Sequence, residues 1–106
     1  MELNLNGCRV LHRAGLIRIA EVCPSLQKLN IEGVFNLSDE SVNTFVELRG
    51  PNMKMLKMDG GRLSDCFCTF HKMENLEELA IMCCAYLDSA GLSSICRLSK
   101  LGKKII

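Results

Sequence analysis

Aromatic residues are scarce in this sequence, which has no tryptophan, one tyrosine and four phenylalanines, or 5% of 106 residues. The core that this length allows must therefore be filled by Leu, Ile, Val, Met and Cys. Excess charge is also absent, since the formal net charge is +1. This balance argues against a nucleic-acid or membrane partner. The late basic cluster is interpreted as solvated surface: Arg97, Lys100, Lys103 and Lys104.

Long apolar runs and paired cysteines are missing too. Nowhere do about 18 apolar residues follow one another, and the N-terminus MELNLNGC has no charged start followed by an apolar run. The seven cysteines are odd in number and lack the paired spacing of a small secreted framework. We therefore expect a soluble, non-secreted chain with reduced thiols, located in the cytoplasm or the nucleus.

What the sequence does contain is a repeat. The segments LQKLNI, MKMLKM and LEELAI, which begin at residues 26, 53 and 76, are apolar at their first, fourth and sixth places. LGKKII at residue 101 keeps this frame except at Lys104, and Leu3 and Leu5 fit the fourth and sixth places of an earlier copy. Apolar residues two apart are typical of a strand.

A second apolar series follows each segment at helical spacing, with positions i, i+3 and i+4 on one face. Side chains that can cap a helix precede three of the four series, at Ser38, Ser64 and Asp88. Cys23-Pro24 and Gly50-Pro51 supply stop signals. The four series are Leu16, Ile19, Ala20; Val42, Phe45, Val46; Phe67, Phe70, His71; and Leu92, Ile95, Cys96.

Each copy is therefore predicted to be a strand, a turn and a helix. One such unit cannot bury its own apolar face, but stacked units can form a parallel sheet with helices behind it. We expect an α/β solenoid, a curved parallel sheet with helices on the convex side, as one domain over residues 1–106. Its repeats span approximately 1–25, 26–52, 53–75 and 76–100, with a fifth starting at 101–106.

The pattern L-x-x-L-x-L-x-x-C, followed by a helix that ends in Cys-Pro, resembles the cysteine-containing leucine-rich repeat of the F-box/LRR protein family. The resemblance covers essentially the whole chain and implies about four leucine-rich repeats. It also implies that Cys8 and Cys84 point inward under the turns, where Val34 and Gly61 stand in the middle copies. The first copy matches through Leu3, Leu5, Cys8, Leu11, Leu16, Ile19, Cys23 and Pro24, and the fourth through Leu76, Leu79, Ile81, Cys84, Leu87, Gly91, Leu92, Ile95 and Cys96.

The family's F-box, a helical segment that docks onto a ligase adaptor, has no counterpart in this sequence. The chain starts within one repeat and ends inside another, with no polar capping unit, so we expect a partial domain with uncapped ends. By resemblance, the function is protein binding in the substrate-recognition region of an SCF-type E3 ubiquitin ligase receptor, in ubiquitin-dependent protein catabolism. The adaptor is a partner only if a longer product carries an F-box. The chain itself is not expected to be an enzyme, because other subunits transfer ubiquitin in that family.

Two other classes of function stay open: a non-ligase leucine-rich-repeat scaffold, regulator or truncated fragment, and a zinc or redox protein that uses the cysteines. Cys66, Cys68 and His71, with Cys83-Cys84 further along, are residue types that bind zinc. The Cys-x-Cys spacing is shorter than the usual two-residue spacer, so buried apolar side chains are the favoured interpretation of most of these cysteines. We expect no metal and no cofactor.

Outward residues of successive strands should form columns on the concave face. The third, fifth and seventh places combine amides, charges and a few apolar side chains, which suits a protein or peptide partner better than a phosphate backbone. An ordinary solvated surface would give the same columns. The candidate binding residues are Asn4, Asn6, Lys28, Asn30, Glu32, Met55, Lys57, Asp59, Glu78 and Met82, beside Glu2 and Ala80.

Overall fold

Five short strands form one parallel sheet in the computed structural model, which describes residues 1–106. Each strand pairs with the next one in sequence, so the sheet order is also the chain order. The register aligns Leu3, Leu29, Leu56 and Leu79, as the repeat frame predicts. The strands are β1 (Glu2–Asn4), β2 (Lys28–Ile31), β3 (Met55–Gly61), β4 (Glu78–Cys84) and β5 (Lys103–Ile105).

The sixth places also lie side by side. Ile31 pairs with Met58 and Met58 with Ile81, while Leu5 lies just past β1 and its N–H donates to the Asn30 carbonyl at 2.7 Å. The predicted ladder is therefore confirmed.

Helical segments cover one face of the sheet. They are α1 (Arg13–Val22), α2 (Asp39–Arg49) with a 3₁₀ turn at Gly50–Asn52, a 3₁₀ helix at Asp65–Lys72, and α3 (Ser89–Cys96). Neighbours in the sequence contact each other, so the helical layer follows the order of the strands. Alternate strand residues and the apolar sides of the helices form one core, with Phe45, Phe67 and Phe70 fully buried. None of these helices is long and apolar enough to cross a lipid bilayer.

The third unit forms a 3₁₀ helix where the apolar spacing suggests an α-helix. Phe67, Phe70 and Met73 are buried three residues apart, which is the period of a 3₁₀ helix. A 3₁₀ helix rises about 2.0 Å per residue, so the eight residues of Asp65–Lys72 span about 16 Å. The 11 residues of α2 span about the same length at 1.5 Å each. Because its rise per residue is larger, the 3₁₀ helix gives the third unit, which has the fewest residues, a helical segment about as long as α2.

The apolar side of α3 is shifted by one residue from the predicted stripe. Leu92 is 42% exposed and Cys96 is exposed, whereas Gly91, Ser94 and Ile95 are the buried residues of this helix. The helix starts at the Asp88 cap, whose carboxylate accepts the Gly91 N–H at 2.9 Å. A Cβ at Gly91 would lie 2.9 Å from the Cβ of Phe67, so only glycine leaves room for the 3₁₀ helix at this position.

One other helix-end prediction is also corrected. The Ser64 side chain caps nothing, and its N–H instead donates to Asp39 Oδ1 at 3.0 Å. The stop signal at Gly50-Pro51 is confirmed, since α2 ends at Arg49 and is followed by a 3₁₀ turn whose start tolerates a residue without an N–H. Ser38 forms the expected cap, in a reciprocal pair with Ser41, and α1 begins without a side-chain cap.

A residue with left-handed backbone geometry lies near the end of each of the first four strands. It is Gly7, with φ +72°, in the first unit, Gly33 in the second and Gly61 in the third. In the fourth unit it is Cys83, the second-last residue of β4, with φ +55°, a conformation that disfavours a Cβ. Gly60 fits the predicted tight corner, since a Cβ there would lie 2.6 Å from the Cα of Cys84.

We predict that Cys83→Gly raises the free energy of unfolding by about 0.5–1 kcal/mol, because glycine adopts this backbone geometry without steric conflict. Urea denaturation monitored by circular dichroism would measure the change. Cys83→Ala is the matched control, since it removes the thiol and keeps the Cβ. A gain in Cys83→Ala equal to that in Cys83→Gly would contradict backbone strain as the cause.

Candidate functional site

The face of the sheet opposite the helices gathers the predicted binding residues. Strand pairing places Lys28 beside Met55, Asn30 beside Lys57, and Asp59 beside Met82. Asn6 and Glu32 follow β1 and β2, and the Gly7 N–H donates to the Glu32 carbonyl at 2.7 Å, so these turns also lie together. The third and fifth columns read Glu2, Lys28, Met55, Glu78, Lys103 and Asn4, Asn30, Lys57, Ala80, Ile105.

These side chains differ in accessibility. Asn4, Asn6, Lys28 and Met82 are exposed, and Ala80 is buried. The others are half-buried, which leaves part of each side chain open to a partner: Asn30, Glu32, Met55, Lys57, Asp59 and Glu78.

Glu78 is the centre of a small charge network on this face. Its Oε2 lies 3.7 Å from Lys57 Nζ, and its Oε1 lies 3.6 Å from Lys103 Nζ. Ion pairs that water can reach contribute little to stability. The network therefore sets the charge pattern of the face more than it holds the fold, and it leaves one positive charge in excess.

Several of the predicted polar residues already serve the fold. Asn4 Oδ1 accepts the Asn6 N–H at 3.0 Å, and Asn30 Oδ1 accepts the Glu32 N–H at the same distance. The Asp59 carboxylate accepts the N–H of Gly33 from the neighbouring unit. These oxygens stabilise the turns after the strands. The two asparagines still offer Nδ2 donors, whereas removal of Asp59 would disturb the turn as well as the face.

Sequence reasoning missed the concavity at the amino ends of the strands. This open hollow has a volume of about 780 Å³, and its floor continues the column of Lys28, Met55 and Glu78. Lys100 and Lys103, interpreted above as plain solvated surface, line it. The repeat frame could have indicated it. Residues just before the third place, such as Lys54 and Glu77, must lie side by side when the third places of neighbouring strands do. Its full lining is Glu2, Lys28, Lys54, Met55, Glu77, Glu78, Lys100, Gly102 and Lys103.

The chemistry of this hollow suits a polar chain segment. Its lining carries lysine and glutamate side chains together with the single apolar side chain of Met55. Such a surface can form charge-assisted hydrogen bonds with both carboxylates and ammonium groups. It lacks the apolar walls that hold a small hydrophobic ligand.

The cysteines are more exposed than predicted. Cys66 is buried, Cys84 and Cys8 are half-buried against the core, and Cys68 and Cys83 are exposed. Cys83 is exposed at the second-last residue of β4, and Cys68 is exposed on the outer side of the 3₁₀ helix. No group of three or more His, Cys, Asp or Glu side chains is placed to hold a metal ion.

His71 links two helices through Ser94, not through a thiol. Its Nδ1 lies 3.0 Å from Ser94 Oγ and 3.0 Å from the Cys68 carbonyl oxygen, and its backbone N–H donates to Ser94 Oγ at 2.9 Å. Ser94 Oγ in turn donates to the Cys68 carbonyl at 3.0 Å. Because Ser94 is buried, we interpret these hydrogen bonds as structural contacts that hold the 3₁₀ helix against α3.

Asp39 forms a second link between helices. Its Oδ1 accepts the N–H groups of Ser64 at 3.0 Å and Cys66 at 2.9 Å, so the first turn of α2 caps the following 3₁₀ helix. Burial alone would raise the pKa of the Asp39 carboxyl, but hydrogen bonds from Cys66 and Ser64 outweigh it and hold that pKa below its ordinary value. Burial, together with Asp39, raises the pKa of the Cys66 thiol, which stays protonated and unreactive.

We predict that Asp39→Asn lowers the free energy of unfolding at pH 7 by about 1–2 kcal/mol, because it removes a charged acceptor of two backbone N–H groups. The pKa of Asp39 is lower in the folded protein than the ordinary value of about 3.9. The charge-dependent part is therefore fully present above the unfolded pKa and is lost as pH falls through the folded pKa.

Urea denaturation at several pH values from 7 to 3 would measure this loss, with Glu40→Gln in the same helical turn as the control. The gap between the unmodified protein and Asp39→Asn should close in acid. A gap that is constant with pH would show that the charge of Asp39 is not responsible.

No protein-family model matches this chain. The repeated residue pattern and the surfaces of the sheet are therefore the features of this chain that indicate a function. Those surfaces have a fixed geometry because the strands share one register.

Proposed function

We propose that this chain is a leucine-rich-repeat solenoid segment that recognises a protein partner on the open face of its sheet. The solenoid is supported by three features that recur from unit to unit. They are the strand register, a residue with left-handed backbone geometry near the end of each strand, and the helical layer that follows the same order. A sheet that grows by one strand per unit in a single direction is typical of stacked repeats.

A further recurrent feature supports the same architecture. At the amino ends of the strands, Asn52 Nδ2 donates to the Pro24 carbonyl at 3.1 Å, and Asn75 Nδ2 donates to the Pro51 carbonyl at 2.8 Å. The same residue type thus makes the same contact to the preceding unit twice. Repeats that make equivalent contacts with each neighbour stack with a constant geometry.

The single observation that carries the binding function is the continuous row of partly exposed polar side chains along the open face. Lys28, Lys57 and Glu78 present both charges across three neighbouring strands, and Met55 and Met82 supply apolar contact. Protein interfaces commonly combine such charged positions with a few apolar anchors. The mechanism is binding alone.

By resemblance to the cysteine-containing repeats of F-box/LRR proteins, the partner is a substrate protein of an SCF-type ubiquitin ligase. Cys8 and Cys84 pack partly against the core, as that resemblance implies for the ninth place. Val34, buried there in the second unit, and the 3₁₀ helix of the third unit depart from the family pattern. A non-ligase scaffold with the same repeats is the alternative.

We predict that Lys28→Glu weakens capture of the sheet-face partner by about tenfold, because a reversed charge at the centre of an interface changes an attraction into a repulsion. Lys28 is exposed and forms no ion pair within the chain, so the fold should be unaffected. Quantitative affinity capture from cell extract, followed by binding of the purified partner, would measure the effect.

Arg18→Glu is the matched control, since it makes the same change of charge on α1, where the Arg18–Glu21 pair at 3.9 Å is largely exposed. Binding that Lys28→Glu leaves unchanged would place the partner on another surface.

We also expect the endogenous full-length product to co-purify with a ubiquitin-ligase adaptor if the chain belongs to a ligase receptor. Mass spectrometry of the native complex, together with the upstream coding sequence, checks this. A full-length transcript that encodes no F-box would favour the scaffold alternative and leave the sheet-face proposal standing.

A further inference from the structure

Phe35 is the most exposed aromatic side chain of the protein, at 69% of its surface. It lies in the turn after β2, directly after the buried Val34. The turn is held by the Val34 N–H, which donates to the Ile31 carbonyl at 3.3 Å, and by the Gly33 N–H, which donates to Asp59. These hydrogen bonds hold the backbone of the turn, so the ring stays exposed to solvent. Exposure of an aromatic ring forgoes the favourable free energy of its burial.

Two hollows meet at this ring. One, of about 590 Å³, lies toward the first unit and includes Arg9 and Leu11. The other, of about 310 Å³, lies toward the third unit and includes Arg62 and Leu63. Phe35 lines both of them, so the ring forms the ridge between two depressions of mixed apolar and basic character.

The charges around this ridge are unbalanced. Arg9 and Arg62 are exposed, and neither guanidinium pairs with a carboxylate or donates a hydrogen bond within the chain. Asp59 is the one acidic residue that lines either hollow, and its carboxylate accepts the Gly33 N–H. A partner that supplies two carboxylates would complement the two arginines.

The spacing of the units defines this partner further. Neighbouring strands of a sheet lie about 4.8 Å apart, so equivalent turns of the first and third units are separated by about 10 Å. A polyproline II segment has three residues per turn and rises about 3.1 Å per residue. It therefore places side chains i and i+3 on the same side, about 9 Å apart.

We propose that the ridge formed by Phe35, Arg9 and Arg62 binds an acidic peptide segment in the polyproline II conformation. Carboxylates at positions i and i+3 pair with the two guanidinium groups. Of the two residues between them, the proline packs on the Phe35 ring, as proline-rich segments do on exposed aromatic side chains, and the other points away from the ridge. This site lies at the carboxyl ends of the strands and, apart from Asp59, uses none of the sheet-face residues.

A peptide fits the ridge better than a single-stranded nucleic acid, which would also stack on an aromatic ring. Nucleic-acid grooves follow the phosphate backbone with a continuous run of positive charge. The ridge has only two basic residues, and leucine side chains line the hollows beside it: Leu11, Leu37 and Leu63. With a net charge of +1 for the whole chain, there is no continuous positive track for a phosphate backbone.

The proposal is tested with a fluorescein-labelled peptide that contains Glu-Pro-Leu-Glu, titrated with the full chain and followed by fluorescence anisotropy. The matched peptide Gln-Pro-Leu-Gln keeps the shape and removes both charges. We expect Phe35→Ala to weaken binding by about tenfold, and Arg9→Gln and Arg62→Gln by about threefold each. The Gln peptide should bind about tenfold more weakly than the Glu peptide.

Tyr86→Ala is the control for loss of an exposed aromatic ring on another turn, where Tyr86 is 59% exposed, and Lys28→Glu is the control for the sheet face. Both should leave peptide binding unchanged, so a failure of the sheet-face proposal does not affect this one. Circular dichroism of each variant confirms the fold.

Three results would each overturn the peptide site. They are equal binding of the Glu peptide by Phe35→Ala, no binding of the Glu peptide at millimolar concentration, and tighter Phe35-dependent binding of an oligothymidylate.

Discussion

The parallel backbone ladder is the constraint on which the other features of this protein depend. A strand and helix of about 25 residues cannot enclose a core, so the apolar side chains of one unit are buried only when the next unit lies beside it. The register fixes this contact, because a slip of one residue would turn Leu29, Leu56 and Leu79 toward solvent and bring charged residues inside. The same register that buries the core therefore also aligns the open face.

Alternation along the strands made these features predictable from the sequence. Apolar residues at the fourth and sixth places recur in the first four units, and this recurrence defines both the inward and the outward columns. The helices were harder to predict, because their rotation depends on the cap and on the neighbouring unit. Gly91 faces the core in place of Leu92 since the helix starts at Asp88 and passes close to Phe67. No pattern within the fourth unit contains that contact.

The roles of individual polar residues were predictable only in part. A side chain at an outward place can face a partner or can bond to a neighbouring turn, and the sequence does not separate the two. Asn30 and Asp59 accept backbone N–H groups, whereas Lys28 has no such contact. Likewise, Cys66 is buried and Cys68 is exposed, although both occur in one short motif. Helix rotation decides their environments, and that rotation is set by tertiary contacts.

The left-handed residue near the end of each strand connects the two proposed surfaces. In the first two units it follows the strand and leaves the next two residues at the rim of the sheet. In the second unit the first of these, Val34, completes the core, while Phe35 is directed outward by the same turn. Arg9 and Arg62 hold the same place of the repeat frame as Phe35, and they line the hollows on either side of that ring. The strand register thus also fixes the spacing of these three rim residues, which is the spacing that the proposed acidic segment would have to match.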